Sequence, residues 1–128
     1  EKATSNICSN QNLCIVAASI YLSLMGPAGI REVGEQIMSK TEYAVSRLEK
    51  TGRFKRAFPG APSFREVALI PDEPVEKLNR RLLEAGILGG YSLEGAYPDL
   101  KNGWLLAVTE NRTKEEIDRL VAVAGGEA

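Results

Sequence analysis

The fold is decided by WLLAVT, residues 104–109, an apolar run that predicts a central strand. Shortly after it, Thr113 and Glu116 have the spacing of a capping box, which predicts a helix from Lys114 to Ala124. Gly125-Gly126 is a typical end for that helix. A strand followed by an amphipathic helix indicates a two-layer α/β fold, in which helices cover a sheet.

The segments before residue 104 predict two further strands and a helix between them. Residues 63–70 are predicted to form a strand that stops at Pro71. A helix follows, with Pro74 in its first turn and Gly86 at its end, and residues 89–93 form a second, short strand candidate. Parallel strands in this β-α-β part would need a right-handed crossover, and the last strand could pair antiparallel with its neighbours. We therefore expect a three-stranded sheet, with residues 54–60 as a loop.

Two helices are predicted before the sheet. The first is apolar nearly all round, runs through Leu13 and Leu24, and is ended by Gly26-Pro27. The second runs from about Gly29 to Leu48 and stops at Gly52. The predicted order is α-α-β-α-β-β-α in one domain, residues 1–128, made of a leading segment 1–9, a helical pair 10–52 and a β-α-β-β-α part 53–128.

Composition excludes several functional classes. The chain has 128 residues, with 16 Lys+Arg against 17 Asp+Glu and no His. Without His, neither a Ser–His–Asp triad nor a His-ligated zinc site can form within it. A net charge of −1 argues against a dedicated nucleic-acid binder.

The beginning of the chain bears on its location. It starts with Glu1, not Met, so we expect a processed chain or a piece of a longer one. No signal peptide is visible, and the apolar stretch 13–25, interrupted by Ser19 and Ser23, is too short to span a bilayer. We therefore expect a cytoplasmic protein without a membrane partner, in which the two cysteines are reduced and buried.

Three polar features of the sequence are candidate sites, and each has a structural alternative. Thr4, Ser5 and Asn6 precede a helix, where they could cap it or hold an anion. The basic run 50–56 could be a solvated face or a groove for an acidic partner. Arg112 follows the best strand and could be a site residue or an ordinary exposed side chain. Gly89-Gly90 lacks the spacing of a phosphate loop and indicates a tight turn or a close backbone approach.

The start of the chain resembles a known family. Residues 1–8, EKATSNIC, followed by Asn10-Gln11 and by YLSLMGP at residues 21–27, resemble the P-proteins of the glycine cleavage system. The similarity is to the half of that enzyme without the Schiff-base lysine, which many prokaryotes make as glycine dehydrogenase (decarboxylating) subunit 1. Ser9 stands where the family usually has Thr, which keeps the hydroxyl.

This resemblance implies a fold and an activity. The fold would be the C-terminal small domain of a pyridoxal-phosphate enzyme of the aminotransferase-like type. The whole enzyme would decarboxylate glycine with pyridoxal phosphate and pass the aminomethyl group to the lipoyl arm of the H-protein. Its partners would be subunit 2, the H-protein and the other glycine cleavage components. The Schiff-base lysine would lie in subunit 2, so none of the seven lysines here takes that role.

The resemblance also implies a role for the leading segment. Thr4, Ser5 and Asn6 would form part of the phosphate pocket or rim of an active site completed by subunit 2, and Cys8 beside them could be redox-sensitive. No residue of this chain is expected to be catalytic, and the isolated chain is expected to be inactive. The alternative is a stand-alone binding or regulatory module of ferredoxin-like type, built on the same small sheet.

Overall fold

A computed structural model describes residues 11–126 of the chain. Its helices and strands follow one another as α1 (Asn12–Lys50), β1 (Phe54–Arg56), β2 (Glu66–Pro71), α2 (Val75–Glu84), β3 (Tyr91–Ser92), β4 (Trp104–Ala107) and α3 (Lys114–Gly125). The chain divides between Val33 and Gly34 into two compact units, and the sheet belongs to the second.

Helix α1 is interrupted at Gly26, where φ is 61° and ψ is −179°. A positive φ favours glycine, because a side chain there would meet the backbone. Pro27 follows and has no N–H to donate to the preceding turn. The predicted break between two helices at Gly26-Pro27 is therefore confirmed.

The sheet has four strands in the order β1-β2-β4-β3, and every neighbouring pair is antiparallel. Strand β4 is internal, as predicted, with Val67 opposite Leu106 on one side and Tyr91 opposite Leu105 on the other. Strands β2 and β3 both pair with β4, so the β2-α2-β3 crossover connects strands that lie on either side of it. The predicted antiparallel pairing of the last strand with its neighbours is confirmed.

The predicted strand number of three was wrong because β1 was taken as loop. Strand β1 is only three residues long, and its sequence, Phe54-Lys55-Arg56, contains two charged residues. Its pairing with β2 places Lys55 opposite Ile70. A strand this short depends on its neighbour for stability, which local sequence patterns do not reveal.

The core lies between one face of the sheet and the helices. On that face, Val67, Leu69, Trp104 and Leu106 are buried, whereas Ala107 on the opposite face is exposed. These side chains belong to one apolar cluster to which all three helices contribute, through residues that include Ala44, Val45, Leu48, Leu78, Leu82, Ile117 and Val121. The described chain is therefore the expected two-layer fold, with helices against one face of the sheet.

Trp104 is the centre of this core and has no exposed surface. Its ring packs at 5.8 Å from the ring of Phe54, and its Nε1 donates to Asn79 Oδ1 at 3.0 Å. Asn79 in turn donates to the carbonyl oxygen of Gly90 at 2.8 Å. A Cβ on Gly90 would lie 2.4 Å from Leu105 O, which confirms the predicted close backbone approach.

The start of helix α3 confirms the predicted capping box. Thr113 Oγ1 accepts from the Glu116 N–H at 3.2 Å, and Glu116 Oε2 accepts from the Thr113 N–H at 2.9 Å. At the other end, Gly126 has a left-handed φ of 82° and closes the helix. These two caps fix where α3 begins and ends next to the end of β4.

The first half of α1 differs from the rest of the molecule because its apolar side chains are exposed. By length and composition alone α1 could cross a membrane, since it holds an 18-residue apolar window of which none is buried. The shorter stretch 13–25, taken from the sequence alone, is predicted to be too short to span a membrane. Cys14 lies in this region and is exposed, so the prediction that it is buried was wrong.

Candidate functional site

The candidate phosphate site in the leading segment lies outside the described residues. Thr4, Ser5, Asn6 and Cys8 all precede residue 11, where the described chain begins. Their assignment to a phosphate pocket or rim therefore stays a prediction. The other candidates, the basic run 50–56 and Arg112, lie within the described residues.

The larger cavity lies beside the end of β4 and has a volume of about 260 Å³. It lies between α3 and the connection that follows α2. Its floor is apolar and includes Ile87, Leu106, Val108 and Leu120, and its polar rim is formed by Arg112, Glu116 and Arg119. The predicted candidate Arg112 is thus both exposed and part of a concave surface.

The polar rim of this cavity is only partly paired. Arg112 Nη1 lies 3.6 Å from Glu116 Oε1, while the other oxygen of Glu116 closes the cap of α3. Arg119 donates through Nη2 to the carbonyl oxygen of Ala85. The rim thus carries two guanidinium groups and one carboxylate, a net positive charge that would suit a carboxylate or phosphate group. No Ser, Thr, Cys or Lys lines this cavity, so the geometry is that of a binding surface without a nucleophile.

A smaller cavity of about 80 Å³ lies beside β2. Arg56, Phe58, Ser63 and Glu66 are among its lining residues. Ser63 is the one hydroxyl and Glu66 the one carboxylate in that lining.

Two of the four cations in the basic run at residues 50–56 are paired with carboxylates. Arg53 Nε donates to both carboxylate oxygens of Asp72 at 3.1 Å. Arg56 Nη2 donates to Glu42 at 2.7 Å, and its Nε donates to Glu49 at 3.3 Å. Because both arginines are held in ion pairs, the structural interpretation of this run is favoured over a groove for an acidic partner.

Sequence reasoning missed an ion cluster around Glu73. Glu73 Oε1 accepts from Arg53 Nη2 at 3.1 Å and forms a short contact with Arg81 Nη2. The hydrogen bond from Arg81 lowers the pKa of Glu73 below its usual value, against the desolvation that burial imposes. The charges of Arg81, Arg53 and Lys77 act in the same direction.

The same two arginines hold the end of helix α3. Arg81 donates through Nε to Val123 O and through Nη2 to Ala124 O, both at 2.9 Å. Arg53 Nη1 donates to Gly125 O at 3.1 Å. Cations at these carbonyl groups complement the negative end of the helix dipole. The cluster is therefore structural, and the spacing of Arg53, Glu73 and Arg81 along the sequence offers no signal for it.

The described residues do not fit a complete pyridoxal-phosphate site. No lysine lines either cavity, so neither offers an amine that could hold the cofactor. No group of three or more His, Cys, Asp or Glu within residues 11–126 is arranged to hold a metal ion. We therefore assign no cofactor step to the described residues.

Comparison with known proteins identifies what the chain is similar to. The family described as "Glycine cleavage system P-protein" matches residues 1–124. A "Probable glycine dehydrogenase (decarboxylating) subunit 1" of Bacillus licheniformis is 50% identical over 125 residues, which are 98% of this chain and 28% of that protein. A protein of the same name from Nitrosomonas europaea is 46% identical over 122 residues, covering 95% of this chain and 27% of the relative.

A solved structure is similar to this chain in both fold and sequence. It is titled "Crystal structure of glycine decarboxylase (P-protein) of the glycine cleavage system, in inhibitor-bound form". It matches with a TM-score of 0.82 and 28% identity, over 99% of this chain and 28% of that one. The chain thus spans little more than a quarter of the proteins it matches.

Proposed function

The chain belongs to the glycine cleavage system P-protein family, and we propose that it acts as part of glycine dehydrogenase (decarboxylating) subunit 1. The observation that carries this proposal is 50% identity over 98% of the chain to a protein of that name. Because the chain spans 28% of that relative, the activity belongs to the longer protein and not to these 128 residues alone.

The proposed reaction is the decarboxylation of glycine, followed by transfer of the aminomethyl group to the lipoyl arm of the H-protein. Pyridoxal phosphate would supply the electron sink for the loss of the carboxylate. The amine that holds the cofactor would belong to a lysine of subunit 2. The proposed partners are subunit 2, the H-protein and the other glycine cleavage components, and the proposed location is the cytoplasm.

We propose that Thr4, Ser5 and Asn6 contribute to the phosphate pocket or the rim of the site completed by subunit 2. They precede helix α1, which begins at Asn12 and has no acidic residue in its first turn. The positive end of that helix is therefore not offset by a carboxylate of its own. The family motif KATSNIC, residues 2–8, adds to this argument through its hydroxyl groups.

The pocket assignment is tested with the full complex of both subunits. Replacing Thr4 and Ser5 together by Ala should weaken pyridoxal phosphate binding, measured by titration of the cofactor absorbance. Ser39→Ala is a suitable control, because Ser39 is an exposed hydroxyl residue of α1 that lines neither cavity. An unchanged cofactor affinity in the double variant would refute the assignment.

The proposed redox role of Cys8 has its own test. If Cys8 does not react with thiol reagents in the intact complex, that role is refuted.

The function itself is tested by reconstitution. The full-length protein that carries this chain is co-expressed with subunit 2, purified, and mixed with lipoylated H-protein and carboxyl-labelled glycine. Labelled carbon dioxide should be released only when both subunits are present. Full release without this subunit, or failure of the two subunits to co-purify, would contradict the proposal. The long relatives favour this enzyme component over a stand-alone ferredoxin-like module.

A further inference from the structure

The first half of helix α1 presents an apolar surface that nothing in the described chain covers. Every residue from 11 to 24 is exposed. Leu13 is 84% exposed and Leu24 is 81% exposed, at the two ends of the segment. Between them lie further large apolar side chains that are about half exposed, namely Ile15, Val16, Ile20, Tyr21 and Leu22. We call residues 13–24 the apolar segment.

The apolar segment carries no charged side chain, and its two serines lie on one face, where Ser23 Oγ donates to Ser19 O at 2.7 Å. Successive helix residues are about 100° apart, so Leu13, Ile15 and Val16 already point in three different directions. Helix α2 shows the usual contrast, because Leu78 and Leu82 are buried on one side while Arg80 is exposed on the other. A helix that is apolar all round is characteristic of the core of a large protein or of a membrane span.

The geometry of the segment disfavours a membrane span. Its uninterrupted part runs from Asn12 to the break at Gly26, which gives a length of about 21 Å at 1.5 Å per residue. The hydrocarbon layer of a bilayer is about 30 Å thick. The helix that is both straight and apolar is therefore too short to cross.

The length of the relatives indicates what covers the segment. This chain corresponds to 28% of a relative that is 50% identical to it, so most of such a protein lies outside these residues. The same fold occurs in a crystal structure within a chain of which it forms 28%. A covalently attached partner is present at high effective concentration, which favours packing within one polypeptide over association in trans.

We propose that the apolar segment is buried on all sides by the remainder of the full-length polypeptide. It is then an internal packing element of the longer protein, and not a membrane anchor or a docking surface for another subunit. This inference rests on the exposed side chains and on the length of the relatives, so it stands or falls separately from the catalytic proposal.

The test measures thiol protection along the segment in the full-length protein. Cys14 is the first probe, read in a Cys8→Ser background, and Ser19→Cys is the second, about 140° away around the helix. Both are read by peptide mass spectrometry, which separates them from any cysteine outside residues 1–128. Ser39→Cys is the matched control, because Ser39 lies on α1 beyond Val33 beside the charged and exposed residues Glu35 and Glu42, which is typical of a helix face that stays in water. The full-length subunit is purified alone and labelled with a maleimide, both folded and in urea.

The proposal predicts that both probes in the segment react roughly a hundredfold more slowly in the folded protein than in urea. The control at position 39 should react at nearly the same rate in both. If Cys8→Ser impairs folding, fragmentation mass spectrometry of the wild-type protein separates Cys14 from Cys8. Fast labelling at either probe overturns all-round burial. Protection that appears only with subunit 2, with phospholipid vesicles or at high protein concentration assigns another occupant and also overturns it.

Discussion

Replacing Glu73 by Gln should destabilise the folded chain more than any exposed carboxylate substitution. The side chain of Glu73 is 9% exposed, and its Oε1 receives hydrogen bonds from both Arg53 and Arg81. Its other oxygen, Oε2, is buried without a hydrogen bond and lies 3.6 Å from Lys77 Nζ. The substitution keeps the shape of the side chain, removes its charge, and places an amide group in this surrounding.

The expected magnitude follows from these contacts. Removing one partner of a buried ion pair costs about 3–5 kcal/mol. The retained amide oxygen can still accept from the arginines, whose side chains are 28% exposed and therefore partly solvated, which lowers the estimate. A buried amide N–H without an acceptor adds about 1 kcal/mol or more. We expect a loss of about 3 kcal/mol, a large part of the ~5–15 kcal/mol typical of a domain.

The assay is urea unfolding of the chain, followed by tryptophan fluorescence. Trp104 is the only tryptophan and is fully buried, so its emission reports on the core directly. Glu66→Gln is the matched control, because the Glu66 side chain is 50% exposed and its pair with Arg65 is 3.6 Å long. The control should change the free energy of unfolding by less than about 0.5 kcal/mol.

The dependence on pH gives a second check of the same reasoning. The folded-state pKa of Glu73 lies below its ordinary value of 4.5, chiefly because Arg81 donates a hydrogen bond to it. The stabilisation is therefore fully present above pH 4.5 and is lost as the pH falls through the folded-state pKa. The difference between wild type and Glu73→Gln should shrink over that acid range. A difference below about 0.5 kcal/mol at neutral pH, or one that does not change in acid, would refute the account of this cluster.

Three further substitutions test the core and the caps by the same unfolding assay. Gly90→Ala should cost about 2 kcal/mol or more, because its Cβ would lie 2.4 Å from a backbone oxygen, whereas Gly95→Ala meets no atom within 4 Å and should be nearly neutral. Asn102→Ala should cost about 2–4 kcal/mol, because the Asn102 side chain accepts from Val75 N and donates to Pro71 O and Glu73 O, and its backbone has a φ of 58°. A neutral result would contradict a stabilising role for these three hydrogen bonds. Thr113→Ala should cost about 0.5–2 kcal/mol by removing the cap of α3, and an unchanged midpoint would argue against the capping box.

Elements with a strong local signal were predictable from the sequence. The apolar run at residues 104–109 contains β4, which covers its first four residues, and the capping box at Thr113 sets the start of α3. The break at Gly26 was equally predictable, because glycine and proline act through backbone geometry that does not depend on the rest of the fold. The same holds for the close approach at Gly90.

Features that depend on distant partners were not predictable. Strand β1 exists because β2 pairs with it, and its own sequence contains two basic residues in three. The cluster around Glu73 joins Arg53 to Arg81, which are far apart along the chain. Arg53 was considered as part of a basic surface because the sequence shows its charge but not its partners.

The candidate site divides in the same way. The family motif at residues 1–8 pointed directly to the family that the whole-chain comparisons show. The cavity beside β4 was not predicted, although Arg112 on its rim was a candidate site residue, because the contributions of Glu116 and Arg119 require α3 to lie next to β4. The exposed state of Cys14 contradicts the prediction from the sequence, since apolar neighbours in a sequence indicate burial only when something is present to cover them.

The most direct test of the proposed role is the product of the reaction on the H-protein. Lipoylated H-protein is incubated with isotopically labelled glycine, pyridoxal phosphate and both subunits, and its intact mass is measured. The account predicts a labelled aminomethyl group on the lipoyl arm when the full-length form of this chain is present, and none when that subunit is left out. Labelling without this subunit, or no labelling from a cofactor-loaded assembly that contains it, would contradict the account.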